Sequence, residues 1–560
     1  MKLLYNVKIY TMDKDFSVAD AMVWENGRIT GVGDIETLLK KFPCEERIDG
    51  KNAIVLPGFI DPHIHFFDGA MFQGMVNLLP ENVPDIKTMK AQYAELAERT
   101  PQDRWIGGQG YDPIALAEKR SPDRYDLDEA CPDHPAVAFH FSIHECVVNS
   151  KALELLGIHA ETPQPYAGEI VKDKNRTPTG RLVEMAEGRV ISLLRESLIN
   201  FSEDEILARI KEAQERLFSY GVTRIGDPAV SSIAAGFYES AFKSEVLKIP
   251  VNLYPCDDDN MFALPLAKAE RSFKQTDSET IINGPLKFFL DGSDRAAVRI
   301  SALQALGSLW GSVKRSVKKR TLDPLKLMLR SPFVLKKGFN FHFGILMIPE
   351  KKGLKCVSQA IKNGHTVAFH AIGNEAVEQA ADIISSIDVK HKDTPPPRIE
   401  HALFLTDHCI KKIKDQKMSV VTQPGFLSHM GSENVPPLPG FRQMPLRTLI
   451  DAGIRVSGSS DWPVVSCNPF LGIERAVTRS TGENGVLQKG EAISVREAIA
   501  MYTGEAAFVL GQTSDVGSLD AGRRADFIML SEDPFTVESS RLSAIKVTKT
   551  FLGGEAVYEC

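Results

Sequence analysis

The chain has 560 residues, of which 43% are hydrophobic and 25% are charged, and its formal net charge is -7. This length predicts one large domain with additions, or two to three domains, and the acidic balance gives no reason to expect a nucleic acid as a partner. The eight cysteines contain no CxxC pair, and no long uninterrupted apolar run occurs. We therefore expect reduced thiols, no membrane span and a cytoplasmic location.

The two ends of the chain have similar patterns. Short β-like runs separated by turns fill residues 1–55, where Asn26-Gly27 is a strong hairpin signal, and similar runs fill residues 510–560. The first run, MKLLYNVKIYTMD, is interrupted by polar residues, so it predicts a strand and not a signal peptide. We expect the two ends to meet in one small β-sandwich domain.

Between the ends, eight apolar strand candidates alternate with helical stretches, and each candidate ends in polar or small residues. They are VLPGFIDPHIHF, GVTRIGDPAV, VNLYPCDDD, GPLKFFLDGSD, HTVAFHAIGN, RIEHALFL, MSVVTQPGF and IRVSGSSDWPV. This pattern predicts an α/β fold with a TIM-like (β/α)8 barrel over residues 56–509, whose chemistry lies at the strand ends. The uneven spacing predicts inserts at about 68–215 and 296–362, which we expect to be subdomains or lids.

Two histidines stand one residue apart at the end of the first strand candidate. Residues i and i+2 of a strand point to one face, so His63 and His65 would enter one space, as two ligands of one metal should. Taken alone, paired histidines are more often ordinary polar or core residues. Four more ligand-type residues at later strand ends favour the metal: Lys287, His370, His401 and Asp461. Histidines without such a position are interpreted as surface or structural: His134, His159, His342, His365, His391, His408 and His429.

Six segments carry a family resemblance: PGFIDPHIH, LKFFLDGS, AFHAIGNEAV, RIEHALFL, SGSSDWPV and GSLDAGRRADFIML. Together they resemble the amidohydrolase superfamily, and within it the YtcJ-like group (amidohydrolase family 3) that includes N-substituted formamide deformylases. The resemblance implies a metal-dependent hydrolase of a C–N bond in an amide, formamide or cyclic amide, acting through a metal-activated hydroxide. A deaminase or C–O bond hydrolase on the same centre, and a catalytically silent scaffold protein, stay open as alternatives.

The resemblance also implies a ligand set. His63, His65 and Asp461 would bind a first divalent ion, and His370 and His401 would bind a second. Zinc is the expected metal, although iron, manganese or nickel would also suit such ligands. Asp461 would also act as the catalytic general base, because a carboxylate beside the bound water can accept its proton.

Lys287 resembles the lysine that the superfamily carboxylates with CO₂ to bridge two ions. An uncharged amine can react with CO₂, and the carbamate is an anionic oxygen donor, whereas a plain ammonium would repel cations. The alternative is an unmodified Lys287 that pairs with Asp291 or Glu184. In that case one ion would be enough.

Candidate substrate-binding residues come from three further segments. FHFSIHECVVNSKAL and TPTGRLVEMAEG resemble family segments and indicate His144, Asn149 and Glu184, with a structural hydrogen bond as the alternative for His144. After the fourth strand candidate the family usually reads DGSLGSR and this chain reads DGSDRAAVR. Arg295 is therefore a candidate contact for an anionic substrate group, or the partner of Asp294 in an ion pair.

The remaining predictions concern the surroundings of the site. Trp462 is a candidate for stacking on the substrate or for packing at the barrel rim, and Asp61 is interpreted as orienting the histidine turn. Leu309 and Trp310 of the second insert are expected in a lid that favours a hydrophobic substrate group, with oligomer contacts as the alternative role of the inserts. The basic segment 314–320 is interpreted as a solvated helix face. Expected partners are a small-molecule substrate and a second copy in a homodimer, with no nucleic acid and no membrane.

Overall fold

The structure is a computed structural model that describes residues 1–263, 278–293, 295–319, 333–336, 340–387, 395–428, 440–482 and 485–560. Three residues singled out above, Asp294, His391 and His429, lie outside these ranges. Within them, no helix is both long and apolar enough to cross a membrane.

Both ends of the chain join one seven-stranded sheet. In spatial order its strands are Glu555–Glu559, Val547–Leu552, Phe527–Leu530, Glu46–Pro57, Lys2–Tyr10, Val18–Glu25 and Arg28–Gly33, and helix Ile35–Lys41 follows the last of them in the chain. Asn26 and Gly27, both with positive φ, form the predicted hairpin turn. The ends therefore form one unit, but the described strands belong to a single sheet, so the β-sandwich stays a prediction.

Two parallel sheets form the centre of the fold. The four-stranded sheet contains, in spatial order, Ile281–Asn283, Val251–Pro255, Val222–Val230 and Phe59–Asp61. The five-stranded sheet contains Leu286–Phe289, Val367–Ala371, Arg398–His401, Ser419–Thr422 and Val456–Gly458. Each of the eight predicted strand segments contributes one strand, and Ile281–Asn283 is an additional strand that the sequence pattern did not indicate.

Backbone hydrogen bonds connect the chain after the first central strand to the chain after the last. The N–H of Asp461 donates to the carbonyl of His63 at 2.8 Å, and the N–H of His65 donates to the carbonyl of Trp462 at 2.9 Å. These backbone bonds by themselves hold His63 and His65 beside Asp461, independently of any side-chain contact. The strands are divided between two sheets, so closure into one barrel stays a proposal.

Helices surround the central sheets. They are Phe66–Phe72, Glu203–Ser219, Ser232–Lys243, Glu350–Lys362, Asn374–Ser385, Asp407–Asp415, Leu446–Asp451, Pro469–Thr478, Val495–Met501 and Gly504–Val509, with 3-10 turns at Pro424–Ser428, Lys489–Glu491 and Ser539–Ala544 and a short strand pair, Phe404–Leu405 with Arg442–Gln443. Helix Glu203–Ser219 shows why they form. Ser202 and Glu205 make a capping box at its start, and the buried residues Ile206, Ile210 and Leu217 recur at helical spacing.

The segment between helices Phe66–Phe72 and Glu203–Ser219 forms a six-stranded sheet with its own apolar core. In spatial order the strands are Gly168–Lys172, Pro178–Glu184, Glu145–Val148, Ala136–His140, Ile106–Tyr111 and Val76–Asn77. Its helices are Ile86–Glu98, Arg124–Ala130, Ser150–Leu155 and Met185–Ser197, and a 3-10 turn follows at Leu198–Asn200. Met89, Tyr93 and Leu127 belong to this separate core.

Among the described residues before helix Glu350–Lys362, the second long connection has three antiparallel strands and one helix. The strands are Val298–Ser301, Asn340–Phe343 and Phe333–Lys336, and the helix is Ala302–Lys319. Residues 314–319 of the basic segment continue this helix, whereas Arg320 lies outside the described residues.

Candidate metal centre

A buried cavity of about 30 Å³ lies at the carboxyl ends of the central strands. We call it the ligand cavity. All six predicted metal ligands line it: His63, His65, Lys287, His370, His401 and Asp461. The chain therefore brings together side chains that are up to almost 400 positions apart in the sequence, because parallel strands end at the same edge of a sheet.

Asp461 lies between three imidazoles. Its Oδ1 is 3.3 Å from Nε2 of His63 and 3.2 Å from Nε2 of His65, and its Oδ2 is 4.0 Å from Nδ1 of His401. One possible ligand atom from each of His63, His401 and Asp461 lies within 4.8 Å of the others. The geometry thus groups His401 with residues that the resemblance assigned to a first ion, as well as with His370.

His370 and His401 form a contact pair. Nδ1 of His370 is 3.1 Å from Nε2 of His401, and Nε2 of His370 is 3.8 Å from the Asp291 carboxylate, beyond hydrogen-bond distance. Burial lowers the pKa of His370 well below its usual value, and burial likewise lowers the pKa of His401 to about 3. Both rings are therefore neutral, which is the form that binds a metal ion.

Lys287 is a buried amine without a hydrogen-bond partner among the described residues. Its Nζ lies 5.3 Å from the centre of the Phe289 ring, and burial lowers its pKa to about 8. Asp291 accepts three backbone N–H groups instead of this amine, and Glu184 does not bond it either. The alternative of an unmodified Lys287 paired with one of these acids does not match the structure.

Two side chains that the sequence analysis missed hold the histidines. Nδ1–H of His63 donates to Oε2 of Glu400 at 2.5 Å, and Oε1 of Glu400 accepts Nε–H of Arg398 at 2.6 Å. Nδ1–H of His401 donates to Oε1 of Gln423 at 2.8 Å. Such partners fix the tautomer and orientation of a ligating imidazole. For Glu400, the available signal was the charged pair that Arg398 and Glu400 form at alternate positions of the short RIEH strand.

Glu400 stays ionised in this environment. Burial alone would raise its pKa, but the Arg398 guanidinium and His63 outweigh burial and hold the pKa well below its usual range. Asp61 has the opposite balance, because burial raises its pKa to about 7 although it accepts the N–H of Ser460 at 3.1 Å and that of His63 at 3.3 Å. These two bonds orient the histidine turn, in agreement with the interpretation of Asp61 from the sequence.

Four residues at this site have positive φ angles. The φ angles are +75° at His401, +59° at Asp461, +52° at Ile143 and +53° at Glu184. Residues other than glycine rarely adopt such angles, and they persist where the surrounding structure holds them, commonly at functional sites. Three of the four residues line the ligand cavity, and Glu184 contacts a fourth lining residue, His144.

His144 and Glu184 form a buried pair beside the metal-ligand candidates. Nδ1–H of His144 donates to Oε2 of Glu184 at 2.7 Å, and the His144 ring centre is 5.1 Å from that of His370. His144 lines the ligand cavity, whereas Glu184 stands behind it. Of the five candidate substrate-binding residues, this pair is the one that the structure brings to the cavity.

Asn149 has a structural position, which corrects its assignment as a substrate contact. It is buried at the start of helix Ser150–Leu155, where Oδ1 accepts the N–H groups of Ala152 and Ala136. Its Nδ2 donates to the carbonyls of Cys131 and His134. All of its hydrogen-bonding capacity is therefore used inside the six-stranded sheet and its helices.

The assignment of two further side chains, Arg295 and Trp462, as substrate contacts is also corrected. Arg295 forms an ion pair with Glu169, and it does not line the ligand cavity. Trp462 packs on helix Phe66–Phe72, where a Cβ added at Gly69 would lie 2.1 Å from the indole ring. Its neighbours in sequence, Pro463 and Val464, line the cavity instead.

The two long connections differ in their relation to the cavity. The first insert supplies part of the wall through Asp68, Phe72, Ser142, Ile143, His144 and Ile191. In contrast, Leu309 and Trp310 of helix Ala302–Lys319 are 38% and 63% exposed and do not line it. The structure shows no contact of these two residues with the cavity, and their lid role stays a prediction.

Comparisons with known proteins assign the class. Residues 46–558 match the amidohydrolase family, and the chain belongs to that family, which confirms the resemblance found in the sequence. Among its relatives, N-substituted formamide deformylase of Arthrobacter pascens is 28% identical over 100% of this chain and 98% of the relative. The putative amidohydrolase YtcJ of Bacillus subtilis is 28% identical over 98% of each chain.

Solved structures show the same fold. An uncharacterized metal-dependent hydrolase from Pyrococcus furiosus has a TM-score of 0.68 and 26% identity, with 96% of this chain and 100% of the other covered. A second, from Pyrococcus horikoshii OT3, has a TM-score of 0.70 and 24% identity, with 96% and 99% covered.

Proposed function

We propose that this protein is a metal-dependent amidohydrolase that cleaves a C–N bond of an amide, formamide or cyclic amide. One observation carries the proposal: Lys287 Nζ, His370 Nε2 and Asp461 Oδ1 are buried, have no hydrogen-bond partner among the described residues, and belong to residues that line one cavity. Buried polar atoms in folded proteins nearly always have a partner. A cation bound among these atoms would satisfy the nitrogen and oxygen donors of His370 and Asp461 together.

The donor set fits divalent metal ions. In this proposal one ion is held by His63, His65 and Asp461. If two ions are bound, His370 and His401 hold the second. His401 lies close enough to Asp461 to be a ligand of either ion. Imidazole nitrogen and carboxylate oxygen suit zinc, iron, manganese and nickel, and we favour zinc. The family match and the printed names of the relatives support a hydrolase of this type.

Carboxylation of Lys287 would complete the donor set. The uncharged amine nitrogen forms a bond to the carbon of CO₂ as one C–O π bond breaks, and the proton that the nitrogen loses passes to water, which leaves a carbamate anion. The isolated position of Nζ, without any acidic partner in the described residues, supports this modification. The carbamate would supply anionic oxygen ligands and offset the charge of the bound metal.

The chain's own residues supply the remaining steps of the proposed reaction. A bound divalent ion would act as a Lewis acid and lower the pKa of a water from about 15.7 to about 7. Asp461 accepts the proton of the attacking water and delivers it to the leaving nitrogen. His144, fixed by Glu184, contacts a polar atom of the substrate. The first insert limits the access of other water to the cavity.

The proposed architecture is a (β/α)8 barrel over residues 56–509 with inserts at about 68–215 and 296–362, and a terminal unit from residues 1–55 and 510–560. The order of the central strands supports this arrangement. A small molecule is the proposed substrate, and a homodimer is the proposed assembly.

The test is metal quantitation followed by an activity screen. We expect about one to two equivalents of divalent metal per chain, and loss of both metal and turnover on treatment with a chelator. The screen contains N-formyl and N-acyl amines, cyclic amides, aminopurines and esters. His401→Ala should lose metal, whereas the exposed His408→Ala serves as the matched control. Undiminished amide hydrolysis by metal-free protein would contradict the proposal, and turnover of aminopurines or esters alone would favour the alternatives.

A further inference from the structure

A second, larger cavity adjoins the ligand cavity. It has a volume of about 180 Å³ and lies between helices Phe66–Phe72, Ile86–Glu98 and Met185–Ser197. We call it the insert pocket. Asp68, Phe72 and Ile191 line both cavities, so the two share one wall. Its other apolar lining residues include Met71, Met75, Leu96, Trp105, Leu194 and Phe201.

Four arginines line the insert pocket, and the structure gives each of them a partner. Arg209 donates to the carbonyl of Met71 at 3.0 Å, and Arg99 lies 4.0 Å from the Glu95 carboxylate. Arg195 is buried and forms a two-bond ion pair with Asp68, at 2.6 and 3.0 Å. Arg104 pairs with Glu205 at 3.1 Å, and its guanidinium lies over the Phe201 ring at 4.2 Å. An anionic occupant would have to compete with the carboxylates that hold Arg195 and Arg104, whereas an apolar occupant would contact the apolar residues that form most of the lining.

The volume indicates the size of the occupant. An apolar protein cavity of roughly 150 Å³ is enough to bind benzene. At about 180 Å³ the insert pocket has room for one aromatic ring or an alkyl group of similar size. The ligand cavity, at about 30 Å³, has no room for such a group beside a reacting amide.

We propose that the insert pocket binds an apolar, ring-sized group of the substrate while the scissile C–N bond lies in the ligand cavity. This inference rests on the proposed function and names its substrate class: an amide with a single aryl or comparable alkyl substituent. Phe72 is the specificity-determining residue between the two spaces. It is the last residue of the helix that begins directly after His65, and its ring stacks on Phe139 at 5.3 Å. Displacement of this ring opens the shared wall.

A binding experiment tests the pocket without any need for turnover. Fluorobenzene is titrated with the purified full-length chain and observed by fluorine NMR. We expect saturable binding to the wild type, and binding weakened by about tenfold or more in Leu194→Trp, whose larger ring fills the pocket. Leu155→Trp, at an exposed site in the same insert, is the matched control and should bind like the wild type.

A second filling variant protects the test against misfolding. Thr100→Trp enters the same pocket from the loop after helix Ile86–Glu98, and circular dichroism reports which variants are folded. Equal fluorobenzene affinity in the wild type and in a folded filling variant would overturn the pocket assignment. Absence of saturable binding to the wild type would also overturn it.

Kinetics then connects the pocket to the substrate. The ratio of kcat/KM for N-benzylformamide to that for N-methylformamide should fall about tenfold or more in Leu194→Trp and stay unchanged in Leu155→Trp. An unchanged ratio in Leu194→Trp, with fluorobenzene binding lost, would overturn the role of the pocket in substrate binding. If no metal-loaded form turns over any amide, the proposed function fails, and the assignment of the substrate class fails with it. The fluorobenzene result still decides whether the pocket binds an apolar ring.

Discussion

His63 and Glu400 are joined by a hydrogen bond of 2.5 Å between Nδ1 and Oε2, and both side chains are buried. Because the carboxylate accepts a hydrogen bond from Nδ1–H, Nε2 of His63 keeps its lone pair on the side of Asp461. The second oxygen of Glu400 accepts from Arg398, so one carboxylate orients a ligand and balances a buried cation.

Glu400→Gln should weaken metal binding by about 10–100-fold, because the neutral amide has one acceptor oxygen and cannot hold both His63 and Arg398 as the carboxylate does. The free energy of unfolding should also fall by about 3–5 kcal/mol, because the Arg398 charge is left without a partner. Competition with a chromophoric chelator and urea denaturation measure the two effects. Glu505→Gln, which breaks the more exposed pair with Arg455, is the control and should cost no more than about 1 kcal/mol. Unaltered metal affinity in Glu400→Gln would rule out this orienting role.

Asp461→Asn should reduce kcat by about 10²–10⁴-fold, because the amide cannot accept the proton of the attacking water. The near-UV circular dichroism should match the wild type, since Asp461 lies at the cavity and not in the apolar core. Steady-state kinetics on metal-loaded samples checks the effect. If the variant kept more than about a tenth of wild-type turnover, a general-base role would be untenable.

Lys287→Ala should lose metal, because the carbamate bridge cannot form without the amine. Added short-chain carboxylic acids should restore part of the activity by supplying an anionic oxygen in the space that the side chain leaves. Elemental analysis and activity with and without propionate make the comparison. Carbon-13 NMR after exposure to labelled CO₂ should show a carbamate signal in the wild type and none in the variant. Equal metal content in both proteins would contradict the prediction.

Asn149→Ala should lower the free energy of unfolding by at least about 2 kcal/mol, because a helix cap is lost and buried backbone groups are left unpaired. Its kcat/KM per folded molecule should stay within about twofold of the wild type, since no atom of Asn149 reaches the ligand cavity. Urea denaturation and kinetics on the same preparation distinguish the two roles. A stable variant with a strongly raised KM would restore Asn149 as a substrate contact.

Trp310→Ala should leave kcat/KM unchanged and should change the free energy of unfolding by no more than about 0.5 kcal/mol. The reason is that the ring is 63% exposed and does not line the ligand cavity. The kcat/KM values for a small and a bulky N-acyl amine provide the readout. Ile191→Ala, which changes a wall residue of the cavity, is the comparison and should alter their ratio. A changed substrate ratio in Trp310→Ala would return helix Ala302–Lys319 to a role in specificity.

The sequence by itself determined eight of the nine described strands of the central sheets, the family resemblance and the six ligand candidates. These features are local: an apolar run predicts a buried strand, and a polar residue at its end predicts a position at the carboxyl edge. His63 and His65 could be placed on one face because strand periodicity fixes side-chain direction. The hairpin at Asn26-Gly27 followed from turn chemistry in the same way.

Only the tertiary structure decided which partner each polar side chain takes. Asn149 and Glu184 looked alike in the sequence, yet one caps a helix and the other holds His144, because strands from distant parts of the chain bring different groups to each. The pairing of Glu400 with His63, and the wall shared by the two cavities at Phe72, also depend on contacts across sheets and inserts. Hydrogen bonding and burial are properties of the packed chain, so the pattern along the sequence does not specify them.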